Sequence, residues 1–518
     1  MLHFSVLGLN VLILVFGETR PMETLQTLLS RKAVIMKVIS FRRLFLPFTS
    51  HVRYFGQPAA QTHPHLIAEG EVTPGISRKE IYTRRCKLVT TALDMFKGMK
   101  SAYSHLFIFP SATTQYMTND IPYVFRQNSD FLYFSGFQEP DSLLLIEASG
   151  NKSSRGEHIA NLFVPRKDPA KELWDGPRSG TEGAIALTGV DGAFNSNELE
   201  KYLHHYNKTH KDYVLWYNHA KPIHQEFHNQ VLGQVLHDKR YKCVENTAAL
   251  AHRLRVLKSQ PEIRLIQQSI TIACESFIEV MKFSKPQANE AHLWAKMDFE
   301  CRMRGAEFLA YPPVVAGGPR ANVIHYITNN QVIKDGHLVL MDAGCEFHGY
   351  ASDLTRTWPV SGRFTEPQRL LYNATLRVQE MCIQMCTTDY SLDDIYNQMV
   401  LLLSAELTQL GIISPDTSYE QKLNLTRKFC PHHVGHYLGM DIHDTSLISR
   451  QIKLQPNMIV TIEPGLYIAE DDYTVSPEFR GIGLRIEDNI LVTDSVPVNM
   501  SASCPKTVDD IETVLSSQ

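Results

Sequence analysis

Residues 432–444 read HHVGHYLGMDIHD, four histidines in thirteen positions. Imidazole at that density suits a metal centre, since neutral histidine is a common ligand for transition metals. His432 and His436 stand four apart, as in the zinc-peptidase pattern H-E-x-x-H, but His433 occupies the place of its general-base glutamate. The remaining ligands must come from elsewhere in the chain.

Four acids stand where a buried strand should carry none. LVLMD ends on Asp342 after four apolar residues. Eleven positions on, Asp353 in YASDLTRTW fits a hairpin returning beside that strand. Glu463 closes the apolar run IVTIE, and Glu487 closes GLRIE. A single acid at a strand end is usually a turn residue. Four in one region, each beside apolar β-forming residues, repel one another and resist ionisation unless cations compensate them. Two divalent cations would balance four carboxylates. The ligand set then reads Asp342, Asp353, Glu463 and Glu487 plus one histidine. Oxygen donors with one imidazole suit Mn²⁺ first, with Co²⁺, Fe²⁺ or Zn²⁺ as substitutes. A site built wholly from cysteine and histidine is excluded, because no cysteine stands at ligand spacing. Carboxylates that bridge would hold the two ions roughly 3.5–4 Å apart, the separation of two-metal hydrolysis. Arg485 lies two before Glu487, on the same face of an extended chain. There it could pair with a ligand carboxylate and fix its orientation.

The elements that position these residues follow from pattern. The chain has 518 residues, too many for one compact core and enough for two domains with extensions. With 51 basic against 55 acidic residues and no long basic run, nucleic acid is not an expected partner. Nine scattered cysteines read as reduced thiols rather than a disulfide framework. Residues 1–16 are almost wholly apolar but short for a membrane span, and a secretory signal is the alternative reading. No stable membrane association is expected. From Met36 the sequence MKVISFRRLFLPFTSHVRYF is basic, with serines and no acid, which is the composition of a mitochondrial presequence. Met36 is therefore an alternative start, and the expected location is the mitochondrion, with a cytosolic form beside it.

Residues 56–76 read as a linker rich in Pro, Gly and Ala. SRKE, with Ser77 and Glu80, is a capping box that opens a helix to about 98. HLFIF (105–109), FLYFSGF (131–137), SLLLIE (142–147) and NLFVP (161–165) read as strands, and ELWDGPRSGTEG as a loop. Ser259 and Glu262 in SQPE cap a long helix to about 282. Helices then follow at 288–304, 366–386 and 391–411, alternating with strands at 337–344, 459–468 and 483–493. This divides the chain into an extension (1–65), an N-terminal α/β domain (66–250), a second domain (251–507) and a tail (508–518). The fold class is α/β.

These residues together resemble the metallopeptidases of the pita-bread fold, which include methionine aminopeptidase, prolidase and aminopeptidase P. The resemblance rests on Asp342-x10-Asp353, HxxGH ending at His436, Glu463 in TIEPG and Glu487 in RIED. It extends to YMTNDIPYVFRQNSDFLYFSGFQEPDS and ELWDGPRSG in the first half, which are similar to the aminopeptidase P type. The resemblance implies a pseudo-twofold catalytic domain behind an aminopeptidase P N-terminal domain. It implies Asp342, Asp353, His436, Glu463 and Glu487 as ligands of two metal ions. It makes Glu463 a proton shuttle, His443 the donor to the developing oxyanion, and His325, His432, His443 and Arg485 substrate-binding groups. The implied reaction is release of the residue before a proline at position two, by a hydroxide bridging the metals, in a homodimer. Prolidase activity on dipeptides and a metal-free binding module are the alternatives.

Overall fold

The computed structural model describes residues 55–96, 103–149, 156–238 and 241–517, with two short paired strands, Phe4–Val6 and Leu9–Val11. The basic segment from Met36 lies outside the described residues. Among the described residues no helix is long and apolar enough to cross a membrane.

The first half is organised by a six-stranded mixed sheet. Its strands are β1 (His105–Pro110), β2 (Leu143–Ala148), β3 (Ile159–Val164), β4 (Gly192–Asn195), β5 (Tyr213–Trp216) and β6 (Tyr241–Glu245). Their order is β6-β5-β1-β2-β3-β4, with β1 parallel to β5 and antiparallel to β2. Period-two alternation sends Leu106 and Ile108 to one face, against Leu199, Leu203 and Tyr206. Phe107 and Phe109 go to the other face, in one core with Leu88 and Val89 of helix α1 (Arg78–Met95). Both faces are covered, so these strands read as unbroken apolar runs. Ser77 caps α1, accepting from the Glu80 N–H at 3.1 Å.

Three expectations are corrected here. FLYFSGF is not a strand but the body of helix α2 (Ser129–Ser135). The Asn128 side chain caps it by accepting from the Phe131 N–H, and Gly136 ends it in the left-handed region at φ 67°. An apolar run this short carries no period that separates a buried helix from a strand. The supposed linker is packed: Gln57, Ala59, Ile67 and Val72 are buried, and the Gln57 amide donates to Val72 O and Gly136 O at 3.3 Å. The ELWDGPRSGTEG loop is mostly helical, within Pro169–Asp175 and Gly180–Thr188.

The second half repeats one plan twice. Helices α4 (Gln260–Phe283) and α5 (Glu290–Met303) precede the antiparallel sheet β7-β8-β9, formed by Val314–Gly317, Leu338–Ala343 and Leu354–Pro359. Helices α6 (Glu366–Gln384) and α7 (Leu392–Gln409) precede strands β10 (Ile459–Ile462), β11 (Gly465–Tyr467), β12 (Gly483–Arg485) and β13 (Asp488–Leu491). This is the expected pseudo-twofold pita-bread arrangement within an α/β chain. α4 begins as expected, the Glu262 carboxylate accepting from the Ser259 N–H at 2.9 Å. A short helix α3 (Thr247–Arg255) leads into it. The segment set aside as a tail includes the helix Val508–Ser516, which buries Val508, Ile511 and Leu515.

The two last strand runs are interrupted where single strands were expected. β10 stops at Ile462, because Pro464 has no N–H to give a ladder. β12 stops at Arg485, and the Glu487 N–H turns sideways to Thr355 O of β9 at 3.1 Å. Glu463 and Glu487 sit at these two breaks.

Candidate active site

The five expected ligands converge. Asp342 lies in β8, paired in register with Thr355 of β9, and Asp353 immediately precedes β9. Glu463 follows β10, and its N–H donates to Val434 O at 2.8 Å, which ties it to the histidine segment. The His436 N–H donates to Thr461 Oγ1 at 3.1 Å. Gly435 permits that approach: a Cβ there would stand 1.9 Å from Thr461 O. As a result His436 Nε2 lies 3.4 Å from Asp353 Oδ2 and 3.7 Å from Glu463 Oε1. Ligand atoms of Asp353, His436 and Glu487 all fall within 4.8 Å of one another.

The electrostatics follow from four carboxyls in a buried place. Arg485 NH2 reaches Asp342 Oδ2 at 2.6 Å, the pairing expected for it. Burial pushes the Asp342 carboxyl up, with Arg485 opposing. Burial and the carboxylates of Asp353, Glu463 and Asp342 push Glu487 well above the ordinary range. Burial raises Glu463 to about 7, with His436 and Arg485 holding it back. Burial disfavours the His436 cation, but Asp353 and Glu463 outweigh it and raise the imidazole to about 9. The chain therefore supplies fewer positive charges than the cluster needs. Carboxylate oxygens and one imidazole make a donor set for hard or borderline divalent cations. The residues present fit a divalent metal centre, with Asp353, His436 and Glu487 at ligand spacing from one another.

The other expected site residues surround this cluster. His443 is exposed, with its ring 4.4 Å from that of His436 at 71°. His325 is also exposed. His432 is buried deeper, and burial followed by the Arg485 charge lowers it to about 4. Its Nε2 lies 2.9 Å from the Tyr467 hydroxyl and its Nδ1 2.8 Å from His433 O. Arg485 NH1 donates to that hydroxyl at 2.6 Å, so the tyrosine proton points to His432 Nε2. The Nδ1–H then donates to the carbonyl, and both ring nitrogens are engaged within the protein. His433 stands apart, stacked on Tyr396 with ring centroids 4.7 Å apart and Nε2 3.3 Å from Asp393.

Three residues here escaped the sequence reading. The Tyr311 hydroxyl lies 2.6 Å from Asp342 Oδ1 and 2.5 Å from Asp353 Oδ1, and nothing in its local YPP setting marks it. Thr355 Oγ1 donates to Glu487 Oε2 at 2.7 Å. Tyr467 carries no local signal either, because the break at Glu463 and Pro464 separates its strand from β10.

Comparison with known proteins bears on this geometry. Residues 264–494 match metallopeptidase family M24, and residues 82–216 match the aminopeptidase P N-terminal domain. The chain is 50% identical to Xaa-Pro aminopeptidase 3 of Mus musculus over 467 residues, covering 90% of this chain and 91% of that one. It is 38% identical to the mitochondrial intermediate cleaving peptidase 55 of Arabidopsis thaliana over 472 residues, 90% and 89% of the two chains. The crystal structure of Icp55 from Saccharomyces cerevisiae superposes with a TM-score of 0.76 at 32% identity, over 87% of this chain and all of that one.

Proposed function

The chain belongs to the Xaa-Pro aminopeptidases of metallopeptidase family M24, and from that premise we propose that it releases the first residue of peptides with proline in second place, using two divalent cations. The observation that carries this reading is the convergence of Asp342, Asp353, His436, Glu463 and Glu487 on one buried, positively under-supplied place. Family membership implies divalent metal ions, and manganese is our choice among them, with Co²⁺, Fe²⁺ or Zn²⁺ as substitutes. Bound ions supply Lewis-acid polarisation of the scissile carbonyl and acidify the attacking water.

The chain's own groups do the rest. Glu463 takes a proton from the water and returns it to the departing proline nitrogen. His443, exposed beside His436, donates to the oxyanion as it develops. His325 lines the same approach. Arg485 holds Asp342 in its ligating orientation and grips the Tyr467 hydroxyl, which His432 accepts from on the other side. His432 thus positions the site through Tyr467. Proline at position two makes the scissile bond a tertiary amide without N–H.

The test uses protein stripped of metal and then given Mn²⁺, with Arg-Pro-Pro and Arg-Pro as substrates. Cleavage of the tripeptide, restored by Mn²⁺, is the expected result. Preference for the dipeptide would point to a prolidase, and no cleavage of either with metal bound would point to a binding role. A second reading comes from the Arabidopsis relative, a mitochondrial intermediate cleaving peptidase. A longer peptide without proline at position two separates it, because faster cleavage there than of Arg-Pro-Pro would favour processing of protein intermediates. Mitochondrial relatives support a mitochondrial location. A fluorescent fusion of residues 36–60 should enter mitochondria, and a cytosolic signal would sink the presequence. A homodimer completes the reading, to be checked by light scattering.

A further inference from the structure

Two residues before His443 and one after it, the chain is gripped by a polar seam that comes from outside the metal cluster. Asp441 Oδ1 accepts from Ser129 Oγ at 2.6 Å and from Arg126 NH2 at 3.1 Å. The same Arg126 NH2 donates to Met440 O at 2.8 Å, while its Nε donates to Glu346 at 2.6 Å. Asp441 Oδ2 accepts from Arg255 NH2 at 2.7 Å, and Arg255 NH1 donates to Asp130 at 2.6 Å. Arg255 NH2 also pairs with Asp444 Oδ1, whose other oxygen lies 3.3 Å from Lys258 Nζ. Three residues before Arg255 in α3, His252 accepts through its Nδ1 from the Leu447 N–H at 3.2 Å. Arg126, Ser129 and Asp130 belong to the N-terminal half; Met440, Asp441 and Asp444 belong to the turn that carries His443.

The expense of this seam argues that it has a task beyond adhesion. Arg255 and Lys258 are only 3% and 4% exposed, and buried charges are weak contributors to stability against apolar packing. They do, however, fix geometry, because a charge-assisted pair leaves few alternative arrangements. Partial desolvation opposes ionisation of Asp441, yet Arg255 and Arg126 outweigh it and hold the carboxyl far below its usual range. The turn is pinned on both sides of His443, and the His443 side chain is left exposed beside His436.

We propose that Arg126, Ser129, Asp130 and Arg255 form a positioning element, through which the N-terminal half sets His443 against the reacting carbonyl. This rests on the role given to His443 in the proposed function. None of the four touches substrate; they act through Asp441 and Asp444 on the placement of one donor. Displacement of a catalytic group by about 1 Å can cost on the order of a hundredfold in rate.

The test is a double-mutant cycle on the Mn²⁺-loaded enzyme with Arg-Pro-Pro. Arg255→Ala removes a buried cation and could simply fail to fold. Asp441→Asn and Arg126→Gln are therefore the working variants, since both side chains are over a third exposed, at 37% and 38%. Each should lower kcat by about ten- to a hundredfold, with KM and metal content unchanged. In a His443→Ala background the same changes should cost less than about twofold, because the group they position is gone. A second readout does not need turnover: carbethoxylation of His443 by diethyl pyrocarbonate, followed by peptide mass spectrometry, should run several-fold faster in both variants. Wild-type kcat in Asp441→Asn, or an equal loss with and without His443, would overturn the proposal. If the wild type cleaves no Xaa-Pro peptide, the activity reading fails. The modification rate then decides the seam alone, an unchanged rate counting against it.

Discussion

Glu487 and Asp488 are neighbours in sequence, both buried, at 1% and 0% exposure, and they have opposite surroundings. Successive side chains of an extended segment point to opposite faces. Asp488 meets Arg356 at 2.7 Å, Lys506, Gln379 and Asn499 at 2.9 Å, and the Ser501 hydroxyl at 2.8 Å. Burial opposes its ionisation, but Arg356 and Lys506 overcome this and hold it far below the usual carboxylate range. Glu487 meets Thr355 and three other carboxylates, and its carboxyl is driven the other way. A carboxylate buried for architecture has its cations supplied by the chain. One buried for chemistry is left short of positive charge, and the shortfall is the signature of the metal centre.

The sharpest way to break this contrast is to remove each acid in turn. Asp488→Ala strands Arg356 without its partner and should cost on the order of 3–5 kcal/mol, read as a fall in the urea midpoint that Mn²⁺ does not repair. Glu487→Gln should leave the metal-free midpoint unchanged or raised, since it relieves repulsion. It should nevertheless abolish activity and reduce the bound metal measured by plasma mass spectrometry. A Glu487→Gln protein as unstable as Asp488→Ala, or one with full activity, would erase the distinction.

A pH series on chelated protein sharpens the same point. Glu463 rises from 4.5 to about 7 on folding, and His436 from 6.5 to about 9. Groups whose folded values are raised stabilise the fold below their unfolded values and lose that contribution as pH climbs through the folded ones. The midpoint of metal-free protein should therefore fall between pH 5 and pH 9, a window set by those two shifts. Metal binding needs the ligands deprotonated, so stabilisation by Mn²⁺ should grow over the same range. A chelated midpoint that is flat or rises with pH would contradict the charge reading of the cluster. The smallest effect is expected at Tyr311→Phe. It removes the hydroxyl shared by Asp342 and Asp353 and should cost the metal-free fold about 1 kcal/mol, with bound metal and turnover little changed.

How much of this was legible in the sequence depends on how each residue announces itself. Asp342, Glu463 and Glu487 were visible because an acid at the end of an apolar strand-like run contradicts its surroundings. Asp353 was visible through hairpin spacing, and His436 only through resemblance. Asp488 was passed over in the same RIED, since the partners that make it architectural, Arg356 and Lys506, are remote in sequence. Tyr311, Arg126 and Arg255 act through contacts made only in three dimensions, which no local pattern encodes. FLYFSGF reads as a strand for the converse reason: the Asn128 cap that starts its helix lies before the apolar run. The breaks at Glu463 and Glu487 could be anticipated only in part. Pro464 marks the first, while the second depends on Thr355 O of another strand.

Two divalent cations would complete the five-residue cluster and make the chain an active Xaa-Pro aminopeptidase. The most direct test is to titrate metal-stripped protein with Mn²⁺ while following both bound metal and Arg-Pro-Pro hydrolysis. The account predicts no turnover without metal, saturation near two ions per chain, and full activity at saturation. Hydrolysis that persists in stripped protein, or metal that binds at that stoichiometry without any cleavage before proline, would contradict it.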